Sequence, residues 1–228
     1  MKDLVIARYQ EDVDWIYNIA GYFDRIFLYN KGKNSPELNI DNLIYSQLKN
    51  WGRESDTYLN HILLHYYDCA DCTIFVQGKP FDHLPCFYKV VAGQDFVELN
   101  RLVRENHSGY RNFWKIHPEI APLGLVWKMR QQEVALWDRY LWYEPMMQIF
   151  EIIYDVKAIP KTTRGVWGAQ FAVSKKLLQK YSYNQYLKMK AVSDEHYYLP
   201  WGFEKYFLYM FSKNKTDFLN DSLIYPVI

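Results

Sequence analysis

Three short apolar runs in the first third of the chain constrain its fold more than any other feature. They are Leu4-Val5-Ile6-Ala7, Arg25-Ile26-Phe27-Leu28-Tyr29 and Cys72-Thr73-Ile74-Phe75-Val76. Runs this short, bounded by polar or turn residues, read as buried strands rather than helices. Between the first two, residues 12–22 put Val13, Ile16, Tyr17 and Ala20 at helical spacing. Before the third, residues 54–67 carry Tyr58, Ile62, Leu63 and Tyr66 as one apolar stripe. The residues from 30 to 52, opened by the turn signal Asn30-Lys31-Gly32, read as a polar loop. The order β-α-β-α-β predicts an α/β domain with a mostly parallel central sheet flanked by helices.

The rest of the chain is less regular. Residues 96–105 read as helix, and 111–128, with Pro118 and Pro122, as a long loop. Residues 132–154 are helix-prone but interrupted by Pro145, which removes a backbone donor. Residues 165–173 read as a strand running into a helix capped by Ser174, and 202–212 as a last amphipathic helix. There is no internal repeat and no low-complexity linker. The 228 residues therefore predict one large domain.

Composition excludes several classes. A net charge of +1 gives no basic surface on the scale of a nucleic-acid binder. No run approaches the ~18 apolar residues of a membrane span, and residues 1–8 lack the apolar stretch of a secretion signal. Three cysteines cannot all pair, so Cys69, Cys72 and Cys86 read as reduced thiols, and the expected location is the cytoplasm. Aromatic residues make up 18% of the chain, with 21 Tyr and 8 Trp. Most must be core; exposed ones suit stacking on a base or sugar, or resting peripherally on a membrane surface.

Chemistry is expected beyond the carboxyl ends of the strands, where open α/β sheets bind ligands. There the chain has Tyr9-Gln10-Glu11-Asp12, Asn30-Lys31-Gly32 and the stretch from Gln77 to His83. The segment Asn50-Trp51-Gly52-Arg53-Glu54-Ser55 precedes a helix, whose N-terminus favours anions while Arg53 adds a bidentate phosphate partner. The alternative is a capped helix with a solvated Arg-Glu pair. His61, His65, Cys69 and Cys72 have the residue types of a zinc site, although buried Cys and hydrogen-bonded His explain them more simply. No Gly-x-Ser-x-Gly elbow or Walker A loop is present.

The segments from Asp3 to Asp12 and Tyr29-Asn30-Lys31-Gly32 resemble the first two strand ends of GT-A glycosyltransferases. Asn50-Trp51-Gly52-Arg53-Glu54-Ser55-Asp56-Thr57-Tyr58-Leu59, then Phe75-Val76-Gln77-Gly78-Lys79-Pro80-Phe81-Asp82-His83, and later Trp167-Gly168-Ala169-Gln170-Phe171-Ala172-Val173-Ser174, resemble a glycosyltransferase-like family, domain of unknown function 3431. The similarity covers about residues 3–211. It implies a GT-A-like, Rossmann-like fold that moves a sugar from a nucleotide-sugar donor to a glycan or lipid-linked acceptor, as in surface-polysaccharide synthesis. It divides the domain into a nucleotide-sugar-binding part, about 1–105, and an acceptor-side part, about 106–228. Donor contacts would fall to Tyr9, Glu11, Asn30, Gly52, Arg53 and Gln77, and acceptor contacts to Trp167, Gln170 and Trp201. An inverting transfer needs a carboxylate base; Glu204, after the aromatic turn Pro200-Trp201-Gly202-Phe203, is the first candidate, then Glu195, with Asp82 near the reaction centre. Metal-dependent GT-A enzymes carry Asp-x-Asp at the third strand end. This chain has Gln77-Gly78-Lys79 there, so a Mn or Mg ion would fall to Asp82 and His83, or Lys79 or Arg53 would replace its charge. The other reading is a non-catalytic nucleotide- or carbohydrate-binding module on the same fold.

Overall fold

The computed structural model describes residues 1–93, 96–106, 119–124, 126–130 and 136–226. In chain order the elements are β1 (Lys2–Arg8), β2 (Arg25–Asn30), β3 (Leu43–Gln47), α1 (Arg53–Leu64), β4 (Cys72–Gln77), α2 (Phe87–Val91) and α3 (Phe96–Asn106). Then follow β5 (Ile120–Pro122), β6 (Val126–Arg130), α4 (Leu136–Tyr154), β7 (Ile159–Pro160), β8 (Thr162–Val166) and β9 (Phe171–Ser174). The chain ends with α5 (Lys175–Leu178), α6 (Tyr183–Glu195), α7 (Leu199–Ser212), α8 (Lys215–Asn220) and β10 (Leu223–Ile224).

Six strands form one sheet in the order β3-β2-β1-β4-β9-β5. The first four are parallel; β9 runs antiparallel to both β4 and β5. Strands from both parts of the chain thus share one sheet. Leu4, Val5, Ile6, Ile74, Phe75 and Val76 are all fully buried. Layers cover both sheet faces, which is why these central strands are unbroken apolar runs instead of alternating ones. The core beside α1 and α7 is aromatic: Tyr58 lies 4.9 Å from Phe75 between ring centroids, and Phe171 lies 5.3 Å from Phe207. Among the described residues no helix is long and apolar enough to cross a membrane.

Several local expectations change. Residues 12–22 form two short 3-10 helices, Asp14–Asn18 and Ala20–Tyr22, in place of one α-helix. Trp15 pins the segment by donating its indole N–H to the Gly78 carbonyl at 2.9 Å, and the tighter turns let Ile16 and Ile19 bury beside it. The loop from 30 to 52 contains the edge strand β3, whose half-exposed residues lack a clear alternation. Within 111–128, two short strands appear, β5 and β6; residues 111–118 lie outside the described ones. Helix α4 continues through Pro145, because Met146, Ile149 and Phe150 are buried on it and outweigh the lost hydrogen bond. The single strand expected over 165–173 is split into β8 and β9 by a turn in which Gly168 and Ala169 have φ of 74° and 51°. Ser174 caps α5 as expected, accepting from the Leu177 N–H at 3.2 Å.

Candidate functional site

β2 and β3 lie on one side of β1, and β4 lies on the other. The winding reverses between β1 and β4, which opens a crevice at their carboxyl ends. A cavity of about 350 Å³ occupies that place. Arg8, Tyr9 and Glu11 line it from the end of β1, and Gln77 from the end of β4. Lys31 lines it after β2, and Arg53 and Glu54 line it from the start of α1. A second cavity of about 400 Å³ lies behind Trp51. In it Lys190 is held by Asp56 at 3.0 Å and by Asp194, and Lys49 stands over the Trp51 ring.

The strand-end polar groups hold the loops in place. Arg8 donates from Nε to the Glu11 carbonyl at 2.8 Å, and from Nη1 to Asn30 Oδ1 at 2.6 Å and the Asn34 carbonyl at 2.8 Å. Asn30 is fully buried, and its amide donates to the carbonyls of Gly32 and Asn34 and to Gln47 Oε1. Glu11 Oε2 accepts the backbone N–H groups of Tyr9 and Gln10 at 2.7 and 3.1 Å. Lys31 donates to the Trp51 carbonyl at 2.5 Å, to the Arg53 carbonyl, and to Asp56 Oδ2 at 3.4 Å. An ammonium has three donors, and all three find acceptors here. Burial pulls the Lys31 pKa down, and Asp56 opposes that pull.

The Lys31 bonds clamp an unusual helix start. Gly52 has φ of 62° and Arg53 has φ of 48°. The left-handed region suits glycine and strains arginine, by about 1–3 kcal/mol. A Cβ at position 52 would come within 2.4 Å of the Asp56 Cβ, so residue 52 must be glycine for two reasons. This turn projects the Arg53 side chain outward, 45% exposed, with its guanidinium 4.9 Å from the centre of the Trp201 ring. Trp201, Tyr197, Tyr198 and Trp51 continue as an aromatic wall, with neighbouring centroids 5.1 to 6.1 Å apart.

The start of α7 completes the far side. Ser55 Oγ donates to the Pro200 carbonyl at 3.2 Å and ties α1 to α7. Glu204, a turn and a half into α7, accepts the Gly168 N–H on Oε1 at 3.1 Å. Burial is the main force holding the Glu204 carboxyl above the usual carboxylate range, and the Glu54 charge adds to it. Gly168 is closely hemmed in, since a Cβ there would lie 2.4 Å from the His83 ring. Its neighbour Trp167 is 49% exposed.

Tyr9, Glu11, Arg53 and Gln77 thus stand together in the crevice, with Gly52 as the turn that aims Arg53. Two expected ligand contacts are corrected. Asn30 is buried and bonded to its own loop. Gln170 is also buried: it accepts the Gln77 N–H at 3.4 Å and donates to the carbonyls of Pro80 and Leu123 at 3.2 and 3.0 Å. It joins the two halves of the sheet and offers nothing to an acceptor. Glu195 is exposed as the last residue of α6. Asp82 pairs with Lys79 at 3.0 Å, and His83 faces Gly168. Among the described residues no three His, Cys, Asp or Glu side chains converge as a metal site, and Asp82 and His83 belong to no such group. The same holds for His61, His65, Cys69 and Cys72. His61 Nδ1 instead meets the Tyr29 hydroxyl at 3.0 Å, and burial pushes the Cys72 thiol up to about 12.

Sequence reasoning missed Arg8 and Lys31 as organisers and Glu54 as a wall of the crevice. Lys31 lies inside the turn signal Asn30-Lys31-Gly32, which marked a polar strand end but not a clamp on the start of α1. Glu54 is buried by α7, almost 150 residues further along, and no local pattern announces it.

The family described as Protein of unknown function (DUF3431) matches residues 4–222. That is nearly the whole chain, and the chain belongs to this family. No curated protein and no solved structure matches it.

Proposed function

Starting from that membership and from the crevice, we propose that the protein is a GT-A-type glycosyltransferase acting on a nucleotide-sugar donor. The donor's nucleotide and diphosphate occupy the strand-end crevice. Arg53 faces the phosphates, because it is the cation there whose side chain remains half-exposed. The acceptor, a glycan or a lipid-linked sugar, rests on the aromatic wall at Trp201 and on the exposed Trp167, where a sugar face stacks on indole. Glu204 is the base. It takes the acceptor's hydroxyl proton, the freed oxygen attacks the sugar's anomeric carbon, and the nucleoside diphosphate departs with the electron pair of the broken bond. That is a single inverting displacement. No step is routed through a Mn or Mg ion: Asp82 is tied to Lys79, and Arg53 supplies positive charge beside the diphosphate.

One observation carries this reading: a half-buried carboxylate with raised proton affinity stands near a half-exposed arginine at the switch point of an α/β sheet. The donor is found by thermal shift across nucleotide sugars, since a ligand that binds only the native state raises Tm. With that donor, Glu204→Gln keeps shape and loses charge. Its turnover should fall about 10²–10⁴-fold with donor affinity unchanged. Full turnover in folded Glu204→Gln removes the base assignment, and the absence of any stabilising nucleotide sugar removes the donor.

A further inference from the structure

The cavity of about 400 Å³ behind Trp51 lies outside the donor crevice, yet it has the size of a small-molecule site. Its walls come from three elements. Leu48, Lys49 and Trp51 follow β3, Asp56 and Asn60 lie on α1, and Lys190 and Asp194 lie on α6. Each helical pair is four residues apart, so its two members share one helix face. The buried Asp56 is the hub. Its Oδ1 lies 3.0 Å from Lys190 Nζ, and its Oδ2 accepts from the Asn60 amide at 3.2 Å and from Lys31 at 3.4 Å. The same Lys31 holds the Trp51 carbonyl, so indole and carboxylate stand on one clamp. Trp51 and Leu48 are half-buried and give the cavity its apolar surface.

The lining charges balance, with Lys49 and Lys190 against Asp56 and Asp194, so the cavity selects no ion by net charge. Both kinds of hydrogen-bonding capacity stay open. Asp194 is 51% exposed and gives Oδ1 to Lys190, while a carboxylate has about four acceptor sites. Asn60 spends one amide donor on Asp56 and has a second donor and a carbonyl oxygen. The exposed Lys49 stands with its ammonium 5.6 Å from the centre of the Trp51 ring. An apolar ring beside groups that donate and groups that accept fits a neutral sugar, whose hydroxyls do both. Among the described lining residues Trp51 is the one aromatic ring, so no second ring sandwiches a nucleobase. The cavity also connects to the crevice. Trp51 meets Tyr197 at 5.6 Å, Tyr197 meets Trp201 at 6.1 Å, and Arg53 stands over Trp201 at 4.9 Å. One sugar ring cannot touch both ends of that wall, and a short chain of them can. We propose that the cavity behind Trp51 is a distal glycan subsite, which holds an uncharged sugar of an oligosaccharide acceptor whose reacting end lies at Trp201.

That the bound glycan is an acceptor rests on the sugar-transfer reading; that the cavity binds a glycan does not. The test is fluorine NMR of the full chain carrying fluorotryptophan, with Trp51→Phe identifying the Trp51 signal. The probes are linear tetrasaccharides of glucose, mannose, galactose and N-acetylglucosamine, each beside its monosaccharide, with no donor present. One tetrasaccharide should move the Trp51 signal saturably and bind about tenfold more tightly than its monosaccharide. By calorimetry, Trp51→Ala should weaken that binding about tenfold. Asp194→Ala leaves the indole and the Lys31 clamp in place and should also weaken it about tenfold or more, so a poorly folded Trp51 variant does not hide the result. A Trp51 signal that ignores all four tetrasaccharides overturns the proposal. A signal that answers to inorganic phosphate or galacturonate instead makes the cavity an anion site, and one that answers to a nucleoside makes it a base site; either overturns the neutral sugar. A monosaccharide that binds as tightly as its tetrasaccharide overturns the link along the wall. Saturable glycan binding at Trp51 in a protein that no nucleotide sugar stabilises keeps the subsite and removes the sugar-transfer reading. A stabilising donor with a silent Trp51 does the reverse.

Discussion

At the strand ends, Arg8, Asn30 and Lys31 give their N–H groups to the protein itself; where α1 meets α7, Arg53, Glu54 and Glu204 keep hydrogen-bonding capacity open. The residue types are similar, and both regions border the same crevice. What separates them is the source of their partners. The strand ends lie close in space to loop carbonyls, because parallel pairing sets the ends of neighbouring strands and the loops after them side by side. The helix junction joins residues near 54 to residues near 204, and packing there supplies partners to Ser55 and to one Glu204 oxygen but none to Glu54 Oε1. A polar group at a strand end is therefore weak evidence for a ligand, while an unmatched one at a junction is stronger.

The largest effect should come from breaking the saturated region. Lys31→Met removes all three donors from the turn that holds Gly52 and Arg53. Breaking one partner of a buried ion pair costs about 3–5 kcal/mol. The lower end, about 3 kcal/mol, is expected here, because Lys190 still meets Asp56 at 3.0 Å. A denaturant melt measures it. A loss under 1 kcal/mol would mean the ammonium is not clamped and is available to a ligand, which would erase the contrast.

Arg53→Ala tests the other side. A hydrogen bond to a charged group contributes about 1.5–3 kcal/mol. Calorimetry should therefore show roughly 10- to 100-fold weaker binding of the donor's nucleoside diphosphate, with nucleoside binding and Tm nearly unchanged. Equal loss for nucleoside and nucleoside diphosphate would remove Arg53 from the phosphates. A large drop in Tm would move Arg53 into the saturated class beside Lys31.

These two lysine and arginine positions also show where the sequence was legible. The strands β1, β2 and β4 are apolar runs, and their order predicted a parallel sheet and the place of its crevice. Arg53 was visible because a glycine and a helix start announce a turn. The antiparallel edge was not visible: β5 has three residues, and β9 follows a turn made by Gly168 and Ala169 in the left-handed region. Gln170 was expected, through the family resemblance, to be an acceptor contact. Its burial depends on Pro80 and Leu123, which are far away in sequence. Glu54 failed for the same reason, since its burial comes with the packing of α1 against helices far along the chain.

The smallest effect tests whether saturation extends below the crevice floor, along α1. His61 is buried on that helix against the Tyr29 hydroxyl. Burial, with His65 and Arg25 adding to it, holds its pKa well below the usual histidine value, while Asp68 opposes. The unfolded chain titrates near ~6.5. Below that pH the unfolded state takes a proton that the folded state refuses, so stability falls as pH drops from neutral towards the lowered folded pKa. One proton bounds the slope at about 1.4 kcal/mol per pH unit. Asp3 and Glu204 have raised folded pKa values and act in the opposite sense, favouring the folded state as pH falls. The informative quantity is thus the difference between the wild type and His61→Asn, in which those contributions cancel. Denaturant midpoints at about pH 7.5 and 5.5, on either side of the unfolded histidine value, should show a steeper acid loss in the wild type than in the variant. Equal loss in both would mean that His61 accepts its proton in place. The polar groups beneath the crevice would then be less firmly committed than those at its floor.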